Sequence, residues 1–368
     1  MSAGERAEIF LTGATGFIGS SLLAKWLEAE PDAAVTLLVR PRRGVEPRDR
    51  AARLLAEICP ERDARALAGR VSILAGDISL PGFGLETGQY GALAERTTRI
   101  IHCAAAVRFD LPVEEARAIN VVGSENAVAL GRQSRHLRRL DYVGTAYVAG
   151  SRAGIIREDE LDKGQEHRNS YEKTKLESER LMRRAMDDLP ITILRPSIVI
   201  CDSRTGRISK YSAFFRVLLA YHLGRLKALP GDPATRMDII PMDYLADAVY
   251  AIARAPGSSG KCYHLTAGPA ALTPLEEVLA LAAAHFGRER LPMVPPEAFD
   301  AMVRAKAGEL SKEEQDLVNE IRIYRPYLTT TMEFDNSNTL EVTRPAGITL
   351  PPLGSYFGKM AEYIRSLA

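Results

Sequence analysis

A tyrosine and a lysine stand four residues apart in the stretch RNSYEKTKLESER, residues 168–180. Positions i and i+4 lie on the same face of a helix, so Tyr171 and Lys175 would point together. A phenol has a pKa near 10 and is a poor acid near neutrality unless a neighbouring cation lowers that value. Lys175 is such a cation, and the pair therefore predicts a proton donor for a carbonyl substrate. The alternative is a surface helix in which Tyr171 packs beside a lysine and Glu172 faces water.

A threonine hydroxyl completes the candidate catalytic set. Thr145 follows the β-rich run LDYV, residues 140–143, in the stretch GTAYVAG. Open α/β sheets bind ligands at the carboxyl ends of their strands. There the hydroxyl would hydrogen-bond a carbonyl oxygen and stabilise the oxyanion that forms when hydride adds. A turn-capping role for Thr145 is the alternative.

The elements that must position these side chains are visible as short apolar runs alternating with helical patterns. Near-continuous runs of Val, Ile and Leu are typical of parallel strands that are buried on both faces. The alternation predicts a Rossmann-type, doubly wound α/β sheet. We expect strands at 8–12, 34–39, 71–75, 99–104, 140–143 and 191–195, with helices at 17–28, 113–135 and 171–187.

The second part of the chain has a looser rhythm, with frequent prolines and polar loops. Residues 237–268 are expected to return to the main sheet, while helices at 275–286 and 296–323 would build a smaller, mostly helical substrate-binding region. The predicted division is a first domain over residues 1–200, to which residues 237–268 return, and a discontinuous substrate-binding region over residues 201–368.

A glycine-rich loop, TGATGFIG, follows the first predicted strand and opens the first predicted helix. Its glycines permit a tight turn and a close approach to a pyrophosphate, which then meets the positive end of the helix dipole. A bare glycine triplet is a weak signal, but this strand–turn–helix context makes it specific for a dinucleotide. The candidate cofactor contacts here are Thr12, Gly13, Thr15, Gly16, Phe17, Ile18 and Gly19.

The end of the second predicted strand indicates which dinucleotide is used. An NAD enzyme carries Asp or Glu about 20 residues after the last glycine, where it binds the ribose diol. This chain has Arg40 there, followed by Arg42 and Arg43. A guanidinium suits a 2′-phosphate both as a charge and as a bidentate donor. NADPH is therefore the predicted cofactor of the domain over residues 1–200, and a solvated basic turn is the alternative. Tyr171 and Lys175 are also candidate cofactor contacts, and Lys175 would hold the nicotinamide ribose.

Two further segments lie where the third and fourth predicted strands end. Asp77 and Ile78 follow the third strand and would place a carboxylate beside the adenine. Cys103, Ala104 and Ala105 follow the fourth and offer small side chains where a cofactor must pass close to the backbone. We therefore expect both segments to contact the dinucleotide.

Composition excludes several classes of protein. The chain has 368 residues, 46% hydrophobic and 26% charged, as in ordinary globular proteins. Its net charge of +1 gives no support for a nucleic-acid partner. Four scattered cysteines form no C-x-x-C pair, which predicts a reduced, intracellular protein without a metal site. The charged start, MSAGERAEIF, argues against a secretion signal, so a cytoplasmic location is expected.

One apolar stretch, residues 211–229, bears on membrane contact. Charged residues interrupt it too often for a spanning helix, which needs about 20 mainly apolar residues. We expect an amphipathic helix that packs in the core, lines an apolar acyl pocket or rests peripherally on a membrane. Whether the chain forms a homodimer is not decided by its sequence.

These motifs together resemble the extended short-chain dehydrogenase/reductases, whose T-G-x-x-G-x-x-G loop, Ser/Thr before A-x-V and Y-x-x-x-K all match in order. A narrower resemblance is to the fatty acyl-CoA reductase and thioester-reductase branch, with its male-sterility-type NAD-binding domain. It rests on HCAAAVRFD (102–110), MDIIPMDYLADAV (237–249) and YRPYLTTTMEFDNSNT (324–339). The resemblance covers most of the chain and is strongest over residues 8–255.

The resemblance implies the NADPH-dependent reduction of a fatty acyl thioester that is bound to coenzyme A or to a carrier protein. Hydride attacks the carbonyl carbon, Tyr171 supplies a proton and Thr145 steadies the oxygen. The hemithioacetal then collapses to an aldehyde and a free thiol, and a second hydride would give the alcohol.

The resemblance also implies roles for residues outside the catalytic set. Backbone groups of Pro196, Ser197 and Ile198 would contact the nicotinamide carboxamide. Asn120 would belong to a water-linked proton relay behind Lys175, with a helix-packing amide as the alternative.

Two departures and several alternatives remain. Gly144 stands where relatives often carry Ser, and the chain is expected to lack the long C-terminal extension of eukaryotic alcohol-forming reductases. Acyl-chain length, carrier and product therefore stay open. A nucleotide-sugar epimerase or dehydratase would share the same Thr, Tyr and Lys, as would a dehydrogenase of sterol-like or flavonoid alcohols. From another class, a non-catalytic NADP-binding redox sensor is the alternative.

Overall fold

A parallel sheet of seven strands forms the centre of the molecule. The computed structural model describes residues 6–42, 44–59, 67, 69–208, 213–306 and 308–367. Within them the strand order is β7-β6-β5-β4-β1-β2-β3, with every neighbouring pair parallel. The strands are β1 Glu8–Thr12, β2 Ala34–Val39, β3 Val71–Ala75, β4 Arg99–His102, β5 Arg139–Val143, β6 Ile191–Pro196 and β7 Cys262–Leu265. The prediction of a doubly wound α/β sheet is confirmed.

Helices cover both faces of the sheet and build the C-terminal region. Among the described residues they are α1 Phe17–Ala29, α2 Pro47–Ile58, α3 Thr87–Arg96, α4 Val113–Gln133, α5 Ser170–Ala185, α6 Ala213–His222, α7 Met242–Arg254, α8 Leu275–Phe286, α9 Pro296–Ala305, α10 Lys312–Tyr324, α11 Ser337–Thr343 and α12 Phe357–Arg365. Short two-residue strands pair Ile198–Val199 with Ile239–Ile240, Glu333–Phe334 with Ile155–Ile156, Arg236–Met237 with Thr273–Pro274, and Met293–Val294 with Leu229–Pro230.

Burial on both faces explains why the strands are almost wholly apolar. Along β1, Ile9 and Leu11 enter one hydrophobic cluster, with side chains from α1 and α7. Phe10, between them, enters a second cluster, with side chains from α4 and α5. Successive side chains of a strand point to opposite faces, so a sheet with helices on both sides requires an apolar residue at nearly every position. That pattern made the sheet predictable.

The C-terminal region has its own core, which includes Phe215, Leu279 and Phe357. The helical stretch expected at 296–323 is two helices, α9 and α10. A capping box starts α10, because Ser311 accepts the Glu314 N–H at 3.2 Å and the Glu314 carboxylate accepts the Ser311 N–H at 2.8 Å. The break lets α10 pack against α6.

The apolar stretch expected at 211–229 holds a shorter helix than predicted. Helix α6 ends at His222, and Gly224 follows with a φ of +74°. Residues 209–212 lie outside the described part of the chain, as does Arg43 of the basic turn. None of the described helices combines the length and apolar character that crossing a bilayer requires.

Candidate active site

The glycine-rich loop lies where β1 and β4 end side by side, the point at which the strand order reverses. Gly13 has a φ of +76°, and a Cβ there would lie 2.6 Å from the backbone nitrogen of Ala104. A Cβ on Gly19 would lie 2.1 Å from the Gly13 carbonyl oxygen. Only glycine fits these positions, and the resulting cradle at the N-terminus of α1 fits a pyrophosphate.

The substitution Gly13→Ala tests this cradle. We expect it to weaken NADPH binding by about a hundredfold, because the new methyl group meets the backbone of β4's end in a conformation that L residues avoid. Fluorescence titration with NADPH measures the Kd. The control is Gly91→Ala in α3, where a Cβ meets open space and NADPH affinity should not change. An unchanged Kd for Gly13→Ala would show that the dinucleotide does not use this loop.

A cluster of guanidinium groups adjoins the same loop. The Arg50 Nη2 atom donates to the Thr15 hydroxyl at 3.2 Å, and its Nη1 atom donates to the Arg40 carbonyl. Burial, together with repulsion from Arg42 and Arg40, lowers the pKa of Arg50. Repelling cations held together suit a doubly charged anion such as a 2′-phosphate. Sequence reasoning found Arg40 but missed Arg50, which reaches the loop from α2.

The segment after β3 builds a turn around a carboxylate. Asp77 accepts the N–H and the hydroxyl of Ser79 at 2.9 and 2.8 Å, and Arg40 lies 3.8 Å away. Ile78 is buried against α4, where a Cβ on Gly123 would lie 2.8 Å from its Cδ1 atom. Ile78 therefore packs the segment onto the sheet, and Asp77 stands beside the basic cluster.

The segment after β4 is tied to β1 by a buried hydroxyl. The Thr12 Oγ1 atom lies 2.9 Å from His102 Nδ1 and accepts the Ala104 N–H at 3.3 Å. Burial, aided by Lys175, lowers the pKa of His102 to about 3, so its imidazole is neutral. Burial raises the pKa of Cys103 to about 12, which keeps the thiol protonated. Thr12 thus fixes the spacing of the two strand ends, and Cys103 is a small neighbour rather than a nucleophile.

Thr145 and Tyr171 come together at the carboxyl edge of the sheet. Thr145 follows β5, is 4% exposed, and its hydroxyl accepts the Tyr147 N–H at 3.3 Å. Tyr171 lies in the first turn of α5, which Asn169 caps by accepting the Glu172 N–H at 2.9 Å. Burial raises the pKa of Tyr171 to about 12, although a hydrogen bond with Thr145 acts in the opposite direction. The phenol is therefore protonated at neutral pH.

Lys175 lies one turn after Tyr171 in α5 and is 3% exposed. Its ammonium donates to the Val143 carbonyl at 2.8 Å and lies 4.3 Å from the centre of the Tyr142 ring. Burial lowers the pKa of Lys175 to about 8. The expectation that Lys175 lowers the pKa of Tyr171 is wrong for this geometry, because the lysine is engaged by β5 while burial of the phenol raises its pKa.

Aromatic side chains surround Tyr171, and sequence reasoning did not assign them to the site. Phe109 stacks on Tyr171 with ring centres 5.5 Å apart and lies 5.7 Å from Tyr327. Tyr147 meets Tyr327 edge-on at 5.0 Å. Glu172, expected in water if the helix were exposed, is fully buried. Phe109 and Tyr327 lie in motifs that indicate the family resemblance, and nothing else in the sequence indicates that their rings contact Tyr171.

The segment Pro196–Ile198 is held at the end of β6 by a buried aspartate. Asp238 Oδ1 accepts the Ser197 hydroxyl at 2.5 Å and the Ala267 N–H at 2.7 Å. Ile198 also pairs with Ile239 in a short parallel bridge. Burial raises the pKa of Asp238 to about 6. Sequence reasoning missed Asp238, although it lies in the motif MDIIPMDYLADAV.

Asn120 joins the loop after β4 to α5. Its Oδ1 atom accepts the Ala106 N–H at 2.7 Å, and its Nδ2 atom donates to the Thr174 hydroxyl at 2.9 Å. Its backbone carbonyl accepts the Ser178 hydroxyl at 2.9 Å. These are the contacts expected of a packing amide, and they fix Cys103–Val107 against α5.

Comparison with known proteins identifies the family. The family model described as male sterility protein, an NAD-binding domain, matches residues 11–249. The chain belongs to this family. Fatty acyl-CoA reductase wat of Drosophila melanogaster is 29% identical over 67% of this chain and 53% of its own length. Nonribosomal peptide synthetase asaC of Aspergillus flavus is 30% identical over 70% of this chain and 26% of its own length.

A solved structure resembles almost the whole chain. The terminal R domain from the myxalamid PKS-NRPS biosynthetic pathway is 29% identical, with a TM-score of 0.86 over 99% of this chain and 91% of that domain. The chain spans about half the length of the fatty acyl-CoA reductases it matches. The predicted resemblance to the fatty acyl-CoA reductase and thioester-reductase branch of the extended short-chain dehydrogenases is confirmed.

Proposed function

We propose that the chain reduces acyl thioesters, carried by coenzyme A or by a carrier protein, with NADPH as the hydride donor. The observation that carries this proposal is the hydrogen bond between Tyr171 and Thr145, with the buried Lys175 one turn further along α5, at the edge of the sheet where the glycine loop also lies. The fatty acyl-CoA reductase relative and the R-domain neighbour support a thioester as the substrate. In this proposal residues 1–200, with 237–268 returning to the main sheet, bind the cofactor, and the rest of residues 201–368 binds the substrate.

The chain's own residues fit a reduced dinucleotide phosphate. The loop that contains Gly13, Gly16 and Gly19 would hold the pyrophosphate. Arg40 and Arg50 would bind the 2′-phosphate. The remaining predicted contacts, Thr12, Thr15, Phe17, Ile18, Asp77, Ile78, Cys103, Ala104, Ala105, Pro196, Ser197 and Ile198, lie at the ends of β1, β3, β4 and β6. When bound, the nicotinamide supplies a hydride to the substrate's carbonyl carbon.

The catalytic residues handle the charge that this addition creates. The Thr145 hydroxyl would donate to the developing oxyanion, and Tyr171 would transfer its proton to that oxygen. A raised pKa keeps the phenol protonated until the oxygen becomes strongly basic. The hemithioacetal then breaks its C–S bond, releasing an aldehyde while the sulfur takes up a proton. A second round on the aldehyde would give the alcohol.

The preference for NADPH is tested by Arg50→Ala. We expect the KM for NADPH to rise by about 10- to 100-fold while the KM for NADH changes less than about twofold, because a charge-assisted contact to the 2′-phosphate is lost. Steady-state kinetics with both cofactors measure the ratio. Arg53→Ala, at an exposed position of the same helix, is the matched control. Equal effects on both cofactors would place the 2′-phosphate elsewhere.

The proposed activity is tested by following NADPH oxidation with acyl-CoAs of short to very long chain and with the same acyl groups on a carrier protein. Thioester-dependent oxidation, with the aldehyde or alcohol extracted, is the expected result. No oxidation with any thioester, despite measurable NADPH binding, would overturn it. Interconversion of a nucleotide-sugar without net NADPH loss would then favour the epimerase alternative.

A further inference from the structure

The last tyrosine of the YRPY motif reaches the first turn of the catalytic helix. The Tyr327 hydroxyl donates to the Glu172 carboxylate and accepts the Asn169 Nδ2–H at 2.9 Å. Asn169 caps the helix, and Glu172 follows Tyr171 directly. The Glu172 carboxylate is fully buried, and its other partner is Arg168, whose N–H it accepts at 2.9 Å. A buried carboxylate that loses a donor is costly, so Tyr327 restrains this turn.

The ring of Tyr327 also contacts a residue that hydrogen-bonds Thr145. It lies edge-on to Tyr147 at 5.0 Å, and the N–H of Tyr147 donates to the Thr145 hydroxyl. It also lies 5.7 Å from Phe109, which stacks on Tyr171. Tyr327 therefore contacts both Tyr147, which hydrogen-bonds Thr145, and Phe109, which stacks on Tyr171.

We propose that Tyr327 is a positioning residue, through which the C-terminal region sets the distance between Thr145 and Tyr171. This inference rests on the proposed function, because the two hydroxyls must converge on one carbonyl oxygen. Tyr327 lies 155 residues from Glu172 in the chain. The segment after α10 thus completes a catalytic centre whose reacting groups all come from the first half of the chain.

Tyr324, the first tyrosine of the YRPY motif, provides a control for Tyr327. Tyr324 also packs against Phe109, at 4.8 Å, yet within the described residues its hydroxyl makes no hydrogen bond. Tyr324→Phe and Tyr327→Phe each remove one hydroxyl and keep the ring. Only the second removes a donor from Glu172 and an acceptor from Asn169.

The experiment compares these variants in steady-state kinetics and in amide hydrogen exchange of the NADPH-bound chain. For Tyr327→Phe we expect kcat to fall about 10- to 100-fold with the KM for NADPH within about twofold, and faster exchange in the first turn of α5. For Tyr324→Phe we expect values close to wild type. Glu172→Leu, which has no acceptor for the Tyr327 hydroxyl, should lose at least as much kcat as Tyr327→Phe, and the double variant should be no worse than the poorer single one, because both remove the same contact.

The outcomes separate this inference from the proposed function. A kcat within twofold of wild type and unchanged exchange for Tyr327→Phe would overturn the positioning role. Equal losses in both tyrosine variants would also overturn it, since they would reflect the aromatic cluster alone. If wild type does not turn over any thioester, the proposed function fails, and hydrogen exchange of the catalytic turn still decides whether Tyr327 restrains it.

Discussion

Replacing Tyr171 with phenylalanine is expected to lower kcat for thioester reduction by about a thousandfold while the Kd for NADPH stays within about twofold. A positioned proton donor typically contributes 10²–10⁴-fold to a reaction rate. The ring, which stacks on Phe109 at 5.5 Å, is kept, so the fold around the site should not change. Single-turnover NADPH oxidation with a saturating acyl thioester measures the effect on chemistry, and fluorescence titration measures binding.

The matched control for Tyr171→Phe is Tyr250→Phe. Tyr250 lies in α7, its ring packs edge-on against Trp26 at 5.3 Å, and it is remote from the catalytic helix. Its variant should turn over like wild type. A redox sensor would tolerate Tyr171→Phe, because nucleotide binding needs no proton donor. A Tyr171→Phe chain that reduces thioesters at the wild-type rate would therefore remove the phenol from the mechanism.

The parts of this chain that could be predicted are those governed by local pattern. Strand β1 was expected at 8–12 and is Glu8–Thr12, because a strand buried on both faces leaves an uninterrupted apolar run. The glycine-rich loop was also predictable, because Gly13 has a positive φ and leaves no room for a Cβ atom. The spacing of Tyr171 and Lys175 put both on α5 but did not give the direction of each side chain. The pKa of Tyr171 was therefore predicted in the wrong direction.

The parts that could not be predicted depend on contacts between distant segments. Arg50 reaches Thr15 across 35 residues, and Asp238 reaches Ser197 across 41. Tyr327 reaches Glu172 across 155. No periodicity or spacing within one element encodes such pairings, so Asp238 and Tyr327 appeared only as parts of motifs and Arg50 did not appear at all. The start of α10 differs, because its capping box, Ser311 with Glu314, is a local signal that the sequence analysis did not use.

Lys175→Met is expected to abolish most turnover and yet raise the stability of the chain at neutral pH. Burial lowers the pKa of Lys175 from 10.5 to about 8. Each pKa unit is worth about 1.4 kcal/mol, so holding the ammonium charged at pH 7 lowers the free energy of unfolding by about 3 kcal/mol. Loss of the hydrogen bond to Val143 costs about 1 kcal/mol in the variant. The net expectation is a gain of about 2 kcal/mol, seen as a Tm higher by a few degrees.

The pH dependence of this gain identifies its cause. Between pH 8 and 10.5 the unfolded chain keeps a proton on Lys175 that the folded chain has released, so wild-type stability rises through this window. The methionine variant lacks that contribution, and its advantage should shrink as pH rises. Thermal unfolding of both chains from pH 7 to 10 measures the difference. Lys173→Met, at an exposed position of the same helix, should show no gain at any pH. An advantage for Lys175→Met that stays constant with pH would mean that better packing stabilises the variant, and that the lysine's charge is not costly in the folded chain.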